Sequence, residues 1–161
     1  MTDPDRSLDV DALVFDAYGT LFDVHSVTAL AESLAPGRGT ALSQLWRTKQ
    51  LEYTWLTSLM IAPAAPRADF AAVTAEALDY ALAALGIELG PGDRARLQGA
   101  YLTLAAFPDV ATALARLAPR PRWILSNGTL SMLEPLVRHT GLETLLIGVL
   151  SVDAAGIYKP S

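Results

Sequence analysis

Short apolar runs that end in turn signals alternate, along this chain, with longer stretches of helical periodicity. Ala12-Leu13-Val14-Phe15 is apolar without alternation and is followed by Gly19-Thr20, the pattern of a parallel strand buried on both faces. From about Ser26 to Ala105 the pattern is helical, with no convincing strand. Ser26 is a candidate cap for a helix over 27–34, and Pro36-Gly37-Arg38-Gly39 breaks it. Thr40 is a candidate cap for a long helix over 41–60, and Pro63 and Pro66 mark a loop. Asp69 suits the N-cap of a helix over 70–85 with Gly86 just past its end, and Pro91 fits the first turn of another reaching towards Leu104.

After Phe107 the texture changes back. A short helix is expected over 109–117, a second buried strand at Trp123-Ile124-Leu125, a helix over 131–139 stopped by Gly141, and a third apolar run over 145–152. The order is strand, helical insertion, helix, strand, helix, strand, which predicts an α/β fold with a parallel sheet covered on both faces. The expected division is a flexible tail at 1–11, an α/β core at 12–24 and 106–161, and a helical cap inserted at 25–105.

Composition adds exclusions. Hydrophobic residues make up 52% and charged residues 18%, enough to exclude disorder and support a core. Much of that apolar content is alanine, 27 residues, and the longest apolar run falls far short of the ~20 residues of a membrane span. Net charge is −5, with Asp3, Asp5, Asp9 and Asp11 clustered at the start and no basic stripe, so neither nucleic acid nor membrane is an expected partner. Cysteine is absent, which excludes disulfides and thiolate metal sites, and no secretory leader pattern is visible. A cytoplasmic location is expected.

In open α/β sheets, chemistry gathers at the carboxyl ends of the strands. Here those ends present Asp16, then Ser126-Asn127, then Lys159 beyond the third run. A carboxylate beside an ammonium stays ionised, and draining water from the site makes it a better nucleophile. Taken singly, each residue also has an ordinary structural reading. Asp16 could cap a turn, Ser126-Asn127-Gly128 is common turn chemistry, and an arginine such as Arg47 on a helix is usually a solvated charge. Their joint occurrence, in order and at strand ends, favours function.

Phe15-Asp16-Ala17-Tyr18-Gly19-Thr20-Leu21-Phe22-Asp23 resembles the first motif of the haloacid dehalogenase superfamily. Leu125-Ser126-Asn127-Gly128 resembles its second motif and Tyr158-Lys159-Pro160 its third. Phe22-Asp23-Val24-His25-Ser26-Val27 and the block from Leu45-Trp46-Arg47 to Thr54-Trp55-Leu56 narrow the resemblance to the (S)-2-haloacid dehalogenases, also called type II or L-2-haloacid dehalogenases. It implies a Rossmann-like core with an inserted helical cap.

The same resemblance implies a two-step hydrolysis without metal or other cofactor. Asp16 attacks C2 of a 2-haloalkanoic acid and displaces halide. Water then cleaves the aspartyl ester to give the 2-hydroxyacid of opposite configuration. Lys159 would orient Asp16, with Thr20 in support. Ser126 and the backbone after the first strand would bind the substrate carboxylate. Arg47 and Asn127 would receive the halide, and Tyr18, Leu51 and Phe70 would line the apolar pocket. A homodimer through the cap region is also implied.

The phosphatase alternative on the same fold needs a second Asp two residues after the nucleophile, and this chain has Tyr18 there. The superfamily sheet runs 5-4-1-2-3, with a fourth motif whose Asn and Asp position the hydrolytic water. The chain reaches Ser161 before that motif, so the two C-terminal core strands are expected to be missing. The strand bearing Asp16 is then an open edge, and ester formation without efficient turnover is expected. An incomplete, non-catalytic fragment stays open as a further alternative.

Overall fold

The computed structural model describes residues 10–60 and 67–161; residues 1–9 of the expected tail and the Pro63–Pro66 loop lie outside the described residues. Among the described residues the sheet has three parallel strands, β1 (Leu13–Phe15), β2 (Arg122–Ser126) and β3 (Gly148–Ser151), in the order β1-β2-β3. Phe15 aligns with Ile124, and Ser126 with Ser151, so the carboxyl ends of the strands stand side by side. β2 is central and Ile124 is fully buried, as the apolar run predicts. β1 is an edge among the described residues, and Val14 is 58% exposed there. The α/β arrangement expected from the sequence is the one observed.

Four helices separate β1 from the rest: α1 (Thr28–Leu34), α2 (Gly39–Leu59), α3 (Phe70–Leu85) and α4 (Pro91–Ala100). Two more, α5 (Val110–Arg116) and α6 (Leu130–His139), flank β2 in sequence. The chain leaves the sheet region and returns to it along paired paths. The Asp23 N–H donates to the Ala105 carbonyl at 2.8 Å and the Phe107 N–H to the Leu21 carbonyl at 3.0 Å. The packing between α2 and α3 centres on Trp46, fully buried, whose indole N–H donates to the Thr74 carbonyl at 2.8 Å.

Several helix ends follow the sequence. The Asp69 carboxylate accepts from the Ala72 N–H at 2.8 Å, and Gly86 closes α3 in the left-handed region at φ 60°. Others do not. Thr40 lies inside α2; the Glu32 carboxylate caps that helix from α1, accepting from the Gly37 and Gly39 N–H groups. Ser26 sits in a 3-10 turn (Val24–Val27) capped by Asp23, and its hydroxyl bonds the Asp23 carbonyl. α4 ends at Ala100 rather than near Leu104, because Tyr101, Leu102 and Thr103 donate to carbonyls three residues back. This tighter winding swings Tyr101 and Leu104 into the core.

Candidate active site

β1 ends at Phe15, and the next residue, Asp16, stands at the strand's carboxyl end. The chain turns at once: the Ala17 carbonyl accepts from the N–H groups of Leu21 at 2.9 Å and Phe22 at 3.0 Å. Gly19 carries φ 93° within this turn, a conformation that L side chains rarely adopt. Asp16 itself remains open, its side chain 43% exposed.

Lys159 reaches Asp16 from beyond β3. Its ammonium donates to Asp16 Oδ1 at 2.7 Å and to the Leu125 carbonyl at 2.7 Å, filling the notch between the ends of β1 and β2. The Lys159 backbone is strapped in place by Asn127. Asn127 Oδ1 accepts from the Lys159 N–H at 2.8 Å, and its Nδ2 faces the Lys159 carbonyl at 3.5 Å. Both amide atoms of Asn127 are therefore turned to Lys159. Ser126 is fully buried and its hydroxyl accepts from the Gly128 N–H at 3.1 Å. A Cβ on Gly128 would stand 2.8 Å from Tyr18 Cε2, so the motif's glycine keeps room for that ring.

The segment before Lys159 is fastened to the helices. The Tyr158 N–H donates to the Ser58 hydroxyl of α2 at 3.2 Å, and its phenol donates to the Ala68 carbonyl at 2.8 Å. The Arg67 guanidinium lies 3.9 Å from the Tyr158 ring centroid and pairs with Asp153. Burial pushes the Tyr158 hydroxyl up to about 12. An apolar cleft of about 360 Å³ opens beside Lys159, with Trp55 and Leu59 of α2 on its far wall.

Opposite the strand ends stands Arg47, on α2. Its Nη2 donates to the Tyr18 carbonyl at 3.0 Å and its Nη1 to Gln50 Oε1 at 2.7 Å. Burial lowers the Arg47 pKa from its ordinary value, while Tyr101, Asp16 and Tyr18 oppose the shift. The guanidinium starts so far above neutrality that it remains a cation. Tyr18, stacked on Phe70 at 5.2 Å between centroids, and Tyr101, at 6.1 Å from Tyr18, form an aromatic wall. Burial raises the Tyr18 hydroxyl, with Tyr101 adding to the shift, and that buried hydroxyl has no hydrogen-bond partner among the described residues.

The structure thus brings Asp16, Lys159, Ser126 and Asn127 together at the strand ends, with Arg47, Tyr18 and Phe70 around them. Leu51 follows Arg47 by one turn on the same side of α2 and is half-buried. Thr20 is exposed in the Asp16 turn, and no hydrogen bond from its hydroxyl to Asp16 exists among the described residues. No group of three His, Cys, Asp or Glu side chains able to hold a metal stands together among the described residues.

Sequence reasoning missed Gln50, Thr74 and Tyr101, which surround Arg47, and Arg67, which clamps Tyr158. One signal was available for Gln50: it lies one turn from Arg47 and a turn after Trp46, on the inward side of a long helix.

A family model of haloacid dehalogenase-like hydrolases matches residues 10–161. The chain is 50% identical over 151 residues to an (S)-2-haloacid dehalogenase of Xanthobacter autotrophicus, covering 94% of this chain and 58% of that protein. It is 43% identical to the (S)-2-haloacid dehalogenase H-109 of Pseudomonas putida, covering 94% of this chain and 66% of that one. A solved structure of the Xanthobacter autotrophicus L-2-haloacid dehalogenase, with chloropropionic acid covalently bound, superposes with a TM-score of 0.86 at 49% identity, over 94% of this chain and 60% of that one. The chain thus spans about three fifths of the length of the relatives it matches. Strand order, the Asp16–Lys159 pair and these matches agree: the chain belongs to the haloacid dehalogenase-like hydrolase family.

Proposed function

We propose that the protein hydrolyses (S)-2-haloacids to (R)-2-hydroxyacids through an ester on Asp16. The observation that carries this reading is the division of Asp16's two oxygens. Oδ1 is held by the Lys159 ammonium, and Oδ2 has no hydrogen-bond partner among the described residues. A carboxylate held by one oxygen offers the other as a nucleophile. Oδ2 attacks C2 from the side opposite the halogen; the C–O bond forms as the carbon–halogen bond breaks, and the halide departs with the bonding pair. Water then adds to the Asp16 carboxyl carbon, loses a proton, and the acyl C–O bond cleaves. Asp16 is restored, and the hydroxyacid leaves with C2 inverted.

Arg47 is suited to receive the departing halide, being a half-buried and weakly hydrated cation facing Asp16 across the site. Asn127 serves this site chiefly by holding the Lys159 backbone, to which both its amide atoms are turned. Ser126 and the backbone after β1 bind the substrate carboxylate, Thr20 supports the Asp16 turn, and Tyr18, Leu51 and Phe70 line the apolar side. Tyr18 stands where a phosphatase of this superfamily would place its general acid. A halide leaves as a stable anion and needs none.

In this reading residues 25–105 form a cap on a core of residues 12–24 and 106–161, with residues 1–11 as a tail. The bonded connections at Asp23 and Ala105 support that division. The finer parts of the reading are a cytoplasmic location and a homodimer through the cap. The dimer is supported by the exposed Trp55, Leu56, Leu59 and Met60 at the end of α2. Sedimentation equilibrium at micromolar concentration should show dimer; monomer alone would remove that part.

The activity test is halide release from (S)-2-chloropropionate, with p-nitrophenyl phosphate plus Mg²⁺ as the control substrate. Halide release that vanishes in Asp16→Asn is the expected result. Phosphate release without halide release would overturn the reading.

A further inference from the structure

The geometry points to Gln50 as the residue that orients Arg47 while leaving its positive charge available to an anion, with Thr74 fixing the orientation of the Gln50 amide. The inference deepens the reading of Arg47 as halide acceptor and rests on it.

Gln50 is fully buried on α2. A buried amide is costly unless its polar atoms are matched, and these are. Its Nε2 donates to Thr74 Oγ1 at 2.6 Å, and its Oε1 accepts from Arg47 Nη1 at 2.7 Å, with the Tyr101 hydroxyl at 3.5 Å. The direction of the amide follows from Thr74. That hydroxyl spends its proton on the Phe70 carbonyl at 2.6 Å, so it turns a lone pair to Gln50. The NH₂ end of Gln50 must face Thr74, and the oxygen must face Arg47. The flipped amide would set oxygen against lone pair and NH₂ against guanidinium, leaving both contacts repulsive.

The second protein partner of Arg47 is also neutral, the Tyr18 carbonyl. Arg38 and Arg122 also donate to carbonyls, but three other arginines meet acids: Arg67 pairs with Asp153, Arg94 with Asp79 and Arg96 with Asp93. Each of those charges is offset by a carboxylate in contact. Arg47 is instead held by dipoles, which fix its position without cancelling its charge. A glutamate at position 50 would fill the same space and hold the same nitrogen, but would neutralise it. Gln50 is thus a positioning residue whose amide chemistry matters as much as its shape.

Chloride serves as the probe, read by line broadening of the chloride-ion NMR signal in the presence of the full chain. Arg47→Ala should remove the excess broadening; if it does not, the reading of Arg47 itself fails. Gln50→Glu should weaken chloride binding by about tenfold or more at neutral pH, from the added opposing charge. The loss should reverse as pH falls and the introduced carboxyl is protonated.

The groups facing position 50 are Arg47 on α2, Tyr101 after α4 and the neutral Thr74 on α3, with Tyr18 and Asp16 beyond Arg47. The two tyrosines are pushed upward and stay neutral throughout, and the wild-type chain measured over the same range controls for Asp16. Gln50→Met, which keeps volume and loses the hydrogen bonds, should weaken binding several-fold with no added pH dependence. A purely structural role would give no acid-reversible loss. Should Gln50→Glu fail to fold, Thr74→Val frees the amide to turn and should weaken chloride binding several-fold, as Gln50→Met does, with Thr74→Ser restoring it. The inference is overturned if Arg47→Ala loses chloride while Gln50→Glu, or in its place Thr74→Val, binds like wild type.

Discussion

Lys159 and Arg47 bring the site its two positive charges from opposite sides and by opposite means. Lys159 meets Asp16 in a charged pair whose side chains stay 32% and 43% exposed. Arg47 is drawn among aromatic rings and meets only neutral partners, the Tyr18 carbonyl and Gln50. The difference suits the two tasks proposed for the residues they serve. A nucleophilic carboxylate must be held with one oxygen free, which a single charged donor on the other oxygen achieves. An anion receiver must keep its own charge uncancelled, which calls for dipoles. The energetic consequences differ as well, because an exposed ion pair contributes little to stability while a buried polar network is costly to break.

The largest expected effect lies on the exposed side and touches rate alone. Lys159→Met should lower the rate of halide release by about 10- to 150-fold, the worth of one charge-assisted hydrogen bond. The urea unfolding midpoint should scarcely move, since the pair is solvated. A large stability loss in this variant would erase the contrast between the two sides.

On the buried side the order reverses. Gln50→Ala strands Arg47 Nη1 and opens space between α2 and α3, and should destabilise the fold by about 2–3 kcal/mol in urea titration. A change within ±0.5 kcal/mol would show that the network carries no structural energy.

The aromatic wall makes the buried side sensitive to alkali. Burial pushes the Tyr101 hydroxyl up to about 12, so the folded state holds its proton at a pH where the unfolded chain has released it. Stability from this group is fully present below the ordinary tyrosine value and falls as pH rises towards the folded one. The loss should be about 1.4 kcal/mol between roughly pH 9 and roughly pH 11. Tyr101→Phe should remove that share of the decline, while Tyr18 and Tyr158, also raised, maintain the rest. Parallel slopes for both proteins would show that Tyr101 is not protected.

The smallest effect concerns the strap on Lys159. Asn127→Ala removes the 2.8 Å bond to the Lys159 N–H and should cost about 1 kcal/mol of stability, with a rate loss several-fold smaller than in Lys159→Met. A rate loss as large as that of Lys159→Met would indicate direct contact between Asn127 and the departing halide.

Asp16, Ser126 and Lys159 could be placed from the chain alone because apolar runs mark strands and strand ends mark chemistry. Their meeting follows from the parallel register of β1 with β2 and β2 with β3. Arg47 carried no such signal; an arginine on a helix looks solvated, and only the motif around it singled it out. Gln50 and Thr74 were hidden for a related reason, since burial of a polar side chain depends on partners far away in sequence. The start of α2 shows the same limit at the level of a cap. Thr40 has the right chemistry nearby, but the Glu32 carboxylate reaches across from α1 and takes the N–H groups first. Local propensity names the residues able to cap, and tertiary packing decides which one does.

Covalent binding of substrate to Asp16 can be read directly by isotope labelling. The chain is incubated with less than one equivalent of (S)-2-chloropropionate in heavy-oxygen water, and the Asp16 peptide is then weighed by mass spectrometry. This peptide alone should gain mass, either as the intact ester or as one heavy oxygen left in the carboxylate after hydrolysis. Halide released into solution with the Asp16 peptide unchanged, and the heavy oxygen found in the hydroxyacid instead, would contradict covalent binding to Asp16.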